Sequence, residues 1–243
     1  MNTLCVIPAR YASTRLPGKP LADIAGKPMI GRVSEQASKA KRLSGVIAAG
    51  DDERVYEALT AHGGKAMMTA KDHPTGTDRL AEVAAAHPEA ELIINVQGDE
   101  PLIEPALIDA LAAAFDDDPE LQMATVKSPM TDVEEMKNPN NVKVVTDKKG
   151  YALYFSRSLL PYPRENTGAV VYKHIGIYAY KRDFLLNYAK MAPTQLEQTE
   201  SLEQLRALEN GYKIKVIATD FHFVGVDTPE DLVEVNRLYQ ERL

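Results

Sequence analysis

The 243-residue chain has one cysteine, Cys5, and no apolar run near the ~18 residues that a membrane span takes. A single thiol excludes an intramolecular disulfide framework and suits a reducing compartment. Basic residues are the minority: 28 Lys and Arg stand against 35 Asp and Glu, a formal net charge of −7. That balance excludes a general nucleic-acid binder, which needs excess cationic charge to displace phosphate counterions. It leaves room for a local basic pocket that takes one phosphorylated small molecule. The opening MNTLCVIPAR has no charged start and too short an apolar run for a signal peptide. The expectation is a soluble cytoplasmic protein with neither membrane nor nucleic acid as partner. GxxxxGK[ST] and GxGxxG are both missing, so Walker-type ATPase and dinucleotide-binding readings lose their strongest support. No fixed-period repeat occurs, and Gly and Pro are dispersed rather than clustered.

What the chain does have is alternation. Residues 3–8, 46–49, 65–69 and 91–96 read as strands, the last (ELIINV) being the clearest interior one. Between them, 27–41 is amphipathic and 51–62 reads as a helix closed by Gly63 and Gly64. Thr75 and Asp78 have the spacing of a capping box that opens a helix to about residue 87. Four βα alternations predict a doubly wound parallel sheet with right-handed crossovers. The second half reads as a mixed sheet: strands at 121–127, 142–147, 151–156, 173–180 and 213–218, with Lys148-Lys149-Gly150 as a hairpin turn. Residues 200–209 predict one helix with Leu202, Leu205 and Leu208 on a stripe, and Thr228-Pro229 starts the last helix. No linker-like composition interrupts the chain. A single domain over 1–243 is expected, with about 121–180 as an insertion.

Ligands of open α/β sheets bind beyond the carboxyl ends of the strands. The first such loop, residues 9–19, carries Arg10, Arg15 and Lys19 with Ser13 and Thr14, and contains no acid. That pattern suits a triphosphate better than a solvated connection. Asp99, after the ELIINV strand, is either a Mg²⁺ ligand or a turn residue bonding its own backbone. Asp227 is either a second ligand or part of the cap beside Thr228-Pro229.

The segments VIPARYASTRLPGKPL (6–21), TGTDRLAE (75–82), NVQGDEP (95–101), YALYFSRSLLPYPR (151–164), KHIGIYAY (173–180), LEQLRALENGYKI (202–214) and GVDTPEDL (225–232) follow one another in a known order. In that order and over nearly the whole chain, the protein resembles the 3-deoxy-manno-octulosonate cytidylyltransferases. The resemblance implies an α/β fold with a Rossmann-like, doubly wound mixed sheet of the sugar nucleotidyltransferase type, and an inserted dimerisation region that makes a homodimer. It implies transfer of CMP from CTP to the sugar acid Kdo, releasing pyrophosphate and giving CMP-Kdo for lipopolysaccharide. Arg10, Ser13, Arg15 and Lys19 would hold the CTP phosphates, and Thr75, Gly76, Thr77 and Arg79 would lie near the nucleotide. Asp99 and Asp227 would hold Mg²⁺ and, with Lys19, form the catalytic group; the number of Mg²⁺ ions is left open. Gln97 and Arg157 would face the sugar acid, with His174, Tyr178, Glu203 and Gln204 as further contacts.

Two departures bear on the carry-over. Thr75 stands where the family pattern has serine, keeping the hydroxyl, and residues 165–172 are not diagnostic. Taken without the resemblance, Arg157 reads as a strand-end surface ion pair and His174 as a packed residue. Alternatives at the level of function are a close analogue such as 8-amino-Kdo, a nine-carbon sialic-type acid, or a nucleotide-binding module without turnover. Cys5 reads as a small residue in the first strand rather than a nucleophile.

Overall fold

A computed structural model describes residues 1–13, 16–165, 167–221 and 223–241. The N-terminal apolar run forms β1 (Thr3–Ala9), in which Cys5, Val6 and Ile7 have no exposed surface. A strand buried on both faces is what a continuous apolar run without alternation demands. A two-residue pair, β2 (Asp23–Ile24) and β3 (Lys27–Pro28), turns through Gly26 at φ 81°. Then follow α1 (Met29–Ala37), β4 (Gly45–Gly50), α2 (Glu53–Ala61), β5 (Ala66–Met68), α3 (Gly76–Ala86), β6 (Leu92–Asn95) and α4 (Pro105–Asp117). The predicted capping box is present: Thr75 Oγ1 accepts from the Asp78 N–H, and the Asp78 carboxylate accepts from the Thr75 N–H. α4 is not among the predicted elements. It buries Leu107, Ile108, Leu111, Ala112, Ala114 and Phe115.

β1 pairs in parallel with β4 on one side and β6 on the other, and β5 lies beyond β4. The chain thus winds outward from β1 through β4 to β5, then returns across β1 to lay down β6. The winding direction reverses between β1 and β6, so the loops that follow these two strands part there and leave a crevice.

The remaining elements are β7 (Met123–Met130), α5 (Val133–Lys137), β8 (Lys143–Thr146), β9 (Ala152–Ser156), β10 (Val171–Lys181), α6 (Arg182–Tyr188), α7 (Gln195–Glu200), α8 (Gln204–Glu209), β11 (Ile214–Ala218) and α9 (Pro229–Gln240). β10 is antiparallel to β7 and β8, β9 is antiparallel to β8, and β11 is parallel to β7. Gly150, at φ 80°, makes the predicted turn before β9. The chain divides into two compact units, residues 1–112 with 223–243, and residues 113–222. Within the second unit β11 pairs with β7, so residues 182–213 lie between two paired strands of one sheet.

The helix expected over 200–209 starts later, as α8 (Gln204–Glu209), and a separate helix, α7 (Gln195–Glu200), precedes it. Ser201, in the left-handed region at φ 52°, ends α7, and α8 starts three residues later. The two are joined by a buried ion pair, in which Arg206 Nε donates to Glu197 Oε2 at 2.8 Å. Leu202 and Leu205 are buried as expected, whereas Leu208 is only partly covered.

Candidate active site

A pocket of about 420 Å³ occupies the crevice between the loops after β1 and β6. Arg10, Ser13 and Lys19 line it from the first loop, Gly76 from the start of α3, Gln97 and Asp99 from the second loop, and Asp227 from just before α9. Close backbone approach builds it. A Cβ on Gly98 would stand 2.7 Å from the Pro8 carbonyl oxygen, so only glycine lets the second loop lie against the end of β1.

Asp99 and Asp227, remote in sequence, meet because the Val226 N–H donates to the Asp99 carbonyl at 2.9 Å. The α9 cap sets the second acid: Asp231 Oδ2 accepts from the N–H groups of both Asp227 and Thr228, each at 2.9 Å. The Tyr239 hydroxyl then ties α9 to the Pro101 carbonyl at 2.8 Å.

Lys19 stands between these acids. Its Nζ donates to Asp99 Oδ2 at 2.6 Å and to Asp227 Oδ1 at 2.8 Å. It opens a 3₁₀ turn, Lys19–Leu21, preceded by Gly18 at φ 67°. Burial pulls the ammonium's pKa down, but the two carboxylates more than offset it, and the net displacement is upward. Two carboxylates closing on one ammonium form a hard, anionic donor pair that fits a divalent cation of the Mg²⁺ type. Among the described residues no group of three or more His, Cys, Asp or Glu could hold a metal.

The other predicted nucleotide residues separate in the structure. Arg10 lines the pocket and donates through Nη2 to the His73 carbonyl at 2.7 Å. Ser13 lines it too, its Oγ accepting from the Leu16 N–H at 3.3 Å. Arg15 lies outside the described residues. Gly76 reaches the pocket, while the Thr75 hydroxyl is engaged in the cap and Thr77 is buried. Arg79, expected near the nucleotide, has no exposed surface, and its guanidinium donates to Asp51 Oδ2 at 3.1 Å and to the Thr69 hydroxyl. Asp51 itself had a legible signal, an acid at the carboxyl end of a predicted strand, the same position that singles out Asp99. The His73 carbonyl had none, being backbone.

The remaining predicted sugar residues lie in the second unit. His174 Nε2 is 3.0 Å from the Thr125 hydroxyl, and its ring meets Phe155 edge-on at 4.9 Å and tilts against Tyr178 at 5.4 Å. Desolvation pulls its pKa down to about 3, so it is neutral at physiological pH and hydrogen-bonds rather than titrates there. Burial, and then the nearby Glu203 charge, push the Tyr178 phenol up. Gln204 is buried with its Nε2 unpartnered. Arg157 donates to the carbonyls of Glu200, Pro139 and Ser201 at 2.6, 3.1 and 3.2 Å. The Glu200 carboxylate answers from α7, accepting from the Ser156 hydroxyl at 2.6 Å and the Arg157 N–H at 2.9 Å.

A parallel sheet whose winding reverses at a crevice, with a lysine and two acids at its mouth, defines an α/β nucleotide-binding protein of the nucleotidyltransferase type. The cytidylyltransferase family model matches residues 4–214. The 3-deoxy-manno-octulosonate cytidylyltransferase of Fusobacterium nucleatum subsp. nucleatum is 54% identical over 241 residues, 99% of this chain and 98% of that protein. Its counterpart in Geobacter sulfurreducens is 53% identical over 246 residues, 97% of this chain and 98% of that one. A solved CMP:2-keto-3-deoxy-manno-octonic acid synthetase complexed with CTP superimposes with a TM-score of 0.96 at 47% identity, covering all of both chains. The chain belongs to the cytidylyltransferase family, among the 3-deoxy-manno-octulosonate cytidylyltransferases.

Proposed function

We propose that the protein transfers CMP from CTP to the anomeric hydroxyl of Kdo, giving CMP-Kdo and pyrophosphate for lipopolysaccharide biosynthesis. The observation that carries this reading is Lys19 held between Asp99 and Asp227 at the mouth of the crevice. Attack of a hydroxyl on an α-phosphate requires little from a protein beyond alignment and charge neutralisation. The pocket offers those groups. Arg10 and Lys19 bring cations to the triphosphate, and the N-terminus of α3 at Gly76 presents backbone N–H groups and the positive end of a helix dipole. Lys19 is already charged and on a flexible stem, so it can leave the carboxylates for a phosphate oxygen when CTP arrives.

Asp99 and Asp227 would hold Mg²⁺, which when bound neutralises phosphate charge and makes the sugar hydroxyl more acidic. For the sugar acid, Gln97 borders the same pocket. His174, Tyr178, Glu203 and Gln204, the further sugar-acid residues of the resemblance, all belong to the second unit, where Gln204 Nε2 is buried without a partner. Arg157 braces that unit and retains N–H donors for a carboxylate beyond its three carbonyls. The protein acts as a cytoplasmic homodimer on this reading, which the exposed Leu153, Tyr162 and Val170 of the second unit support; sedimentation would read the assembly.

The test pairs each nucleoside triphosphate with Kdo and Mg²⁺ and follows pyrophosphate. Release is expected with CTP and Kdo and should stop with EDTA. Release with 8-amino-Kdo or a sialic-type acid but not Kdo overturns the substrate. CTP binding without any release overturns the transferase.

A further inference from the structure

We propose that Tyr11 is the positioning residue of the phosphate loop, fastening its beginning to its end and thereby setting where Arg10 and Lys19 stand. The proposal rests on the reading above that these two cations meet the CTP phosphates. Three contacts carry it. The Tyr11 N–H donates to Asp51 Oδ1 at 3.1 Å, while the other oxygen of Asp51 accepts from the buried Arg79 at 3.1 Å. Arg79 in turn donates to the Thr69 hydroxyl, which donates to the Gly50 carbonyl at 2.9 Å. The backbone at Tyr11 is therefore anchored to the ends of β4 and β5 and to α3.

The second contact is on the ring. The Arg54 guanidinium lies over its face, 3.6 Å from the centroid. Arg54 is fixed by Asp52, the N-cap of α2, through two parallel bonds of 2.8 and 2.7 Å. A fork held by a carboxylate keeps its plane, so it presses the ring in one orientation rather than sampling many.

The third contact is the far end of the ring. A Cβ on Gly18 would stand 3.5 and 3.6 Å from two carbons of the Tyr11 ring, so the ring edge lies beside the residue that precedes the Lys19 turn, with or without the hydroxyl. One side chain thus spans the loop from the position after Arg10 to the position before Lys19. Fixing the two ends of the loop before binding avoids part of the conformational entropy that ordering them would cost.

The experiment measures the CTP dissociation constant by calorimetry without sugar acid, together with CTP and Kdo KM, kcat and the thermal midpoint. Tyr11→Leu removes the stacked ring, and Arg54→Ala, at an exposed site safe for folding, removes its clamp. Each should weaken CTP roughly 3- to 10-fold, the scale of a lost cation–π contact plus loop ordering, while the Kdo KM and midpoint stay put. Tyr11→Phe keeps the ring and should restore CTP affinity to within about twofold. Unchanged CTP affinity in both Tyr11→Leu and Arg54→Ala overturns the proposal, as does an equal rise in both substrates' KM. Wild-type protein that fails to bind CTP at all overturns the functional reading and this proposal with it.

Discussion

Lys19 neutralises two carboxylates that would otherwise repel each other across a small pocket. Each acid keeps part of its surface open, 31% for the Asp99 side chain and 43% for Asp227, so both remain accessible to a ligand. Asp99→Asn and Asp227→Asn should each lower kcat on the order of 10²-fold or more, with little change in thermal midpoint. The Asn side chain keeps the volume and one acceptor oxygen, so near-normal turnover would remove these positions from the chemistry. Cys5 contributes only packing: burial pushes its thiol up to about 12, leaving almost no thiolate at neutral pH. Residue type and loop position made Arg10, Lys19 and Asp99 legible. The burial of Arg79 and its bonds to Asp51 and Thr69 are not legible in sequence, where only its charge shows.

At the scale of elements, local signals read true and long-range ones did not. The box at Thr75 is complete within four residues, so sequence displays it, and it is formed; the helix start expected at Thr228-Pro229 is formed too, as a box closed by Asp231. The break between α7 and α8 depends on Ser201 turning left-handed, which no residue type at that position announces. The buried Glu197–Arg206 pair makes that break tolerable. Arg206 and the Thr194 N–H draw the Glu197 carboxyl below its ordinary 4.5, against the upward pull of burial. A carboxylate whose folded pKa is depressed adds stability that is complete above its unfolded value and is lost as pH falls through the folded one. The thermal midpoint should therefore fall below about pH 4.5, and Glu197→Gln should flatten that acid limb while lowering the midpoint at neutral pH. An acid limb as steep in the variant as in wild type would place the titration elsewhere.

For the molecule as a whole, the sequence alternation conveyed a nucleotide-binding sheet, but it could not show which ends meet. The reversal between β1 and β6 follows from the pairing order. The meeting of Asp99 with Asp227 follows from one backbone bond, Val226 to Asp99, across the length of the second unit. Ending the chain after β11, at residue 218, removes Asp227 together with the Tyr239 tie to Pro101. Pyrophosphate release from such a chain should fall to background; appreciable release would show that the first unit completes its pocket without α9.

That first unit is discontinuous, residues 1–112 closed by 223–243, and this shapes the order in which the protein comes into being. On the ribosome, Lys19 and Asp99 emerge early, yet the acid that completes their trio is not made until every residue of the second unit has been translated. A nascent chain thus carries the sheet's four parallel strands without the helix that locks the loop after the fourth. The trio of Lys19, Asp99 and Asp227 is therefore whole only after the second unit has been translated.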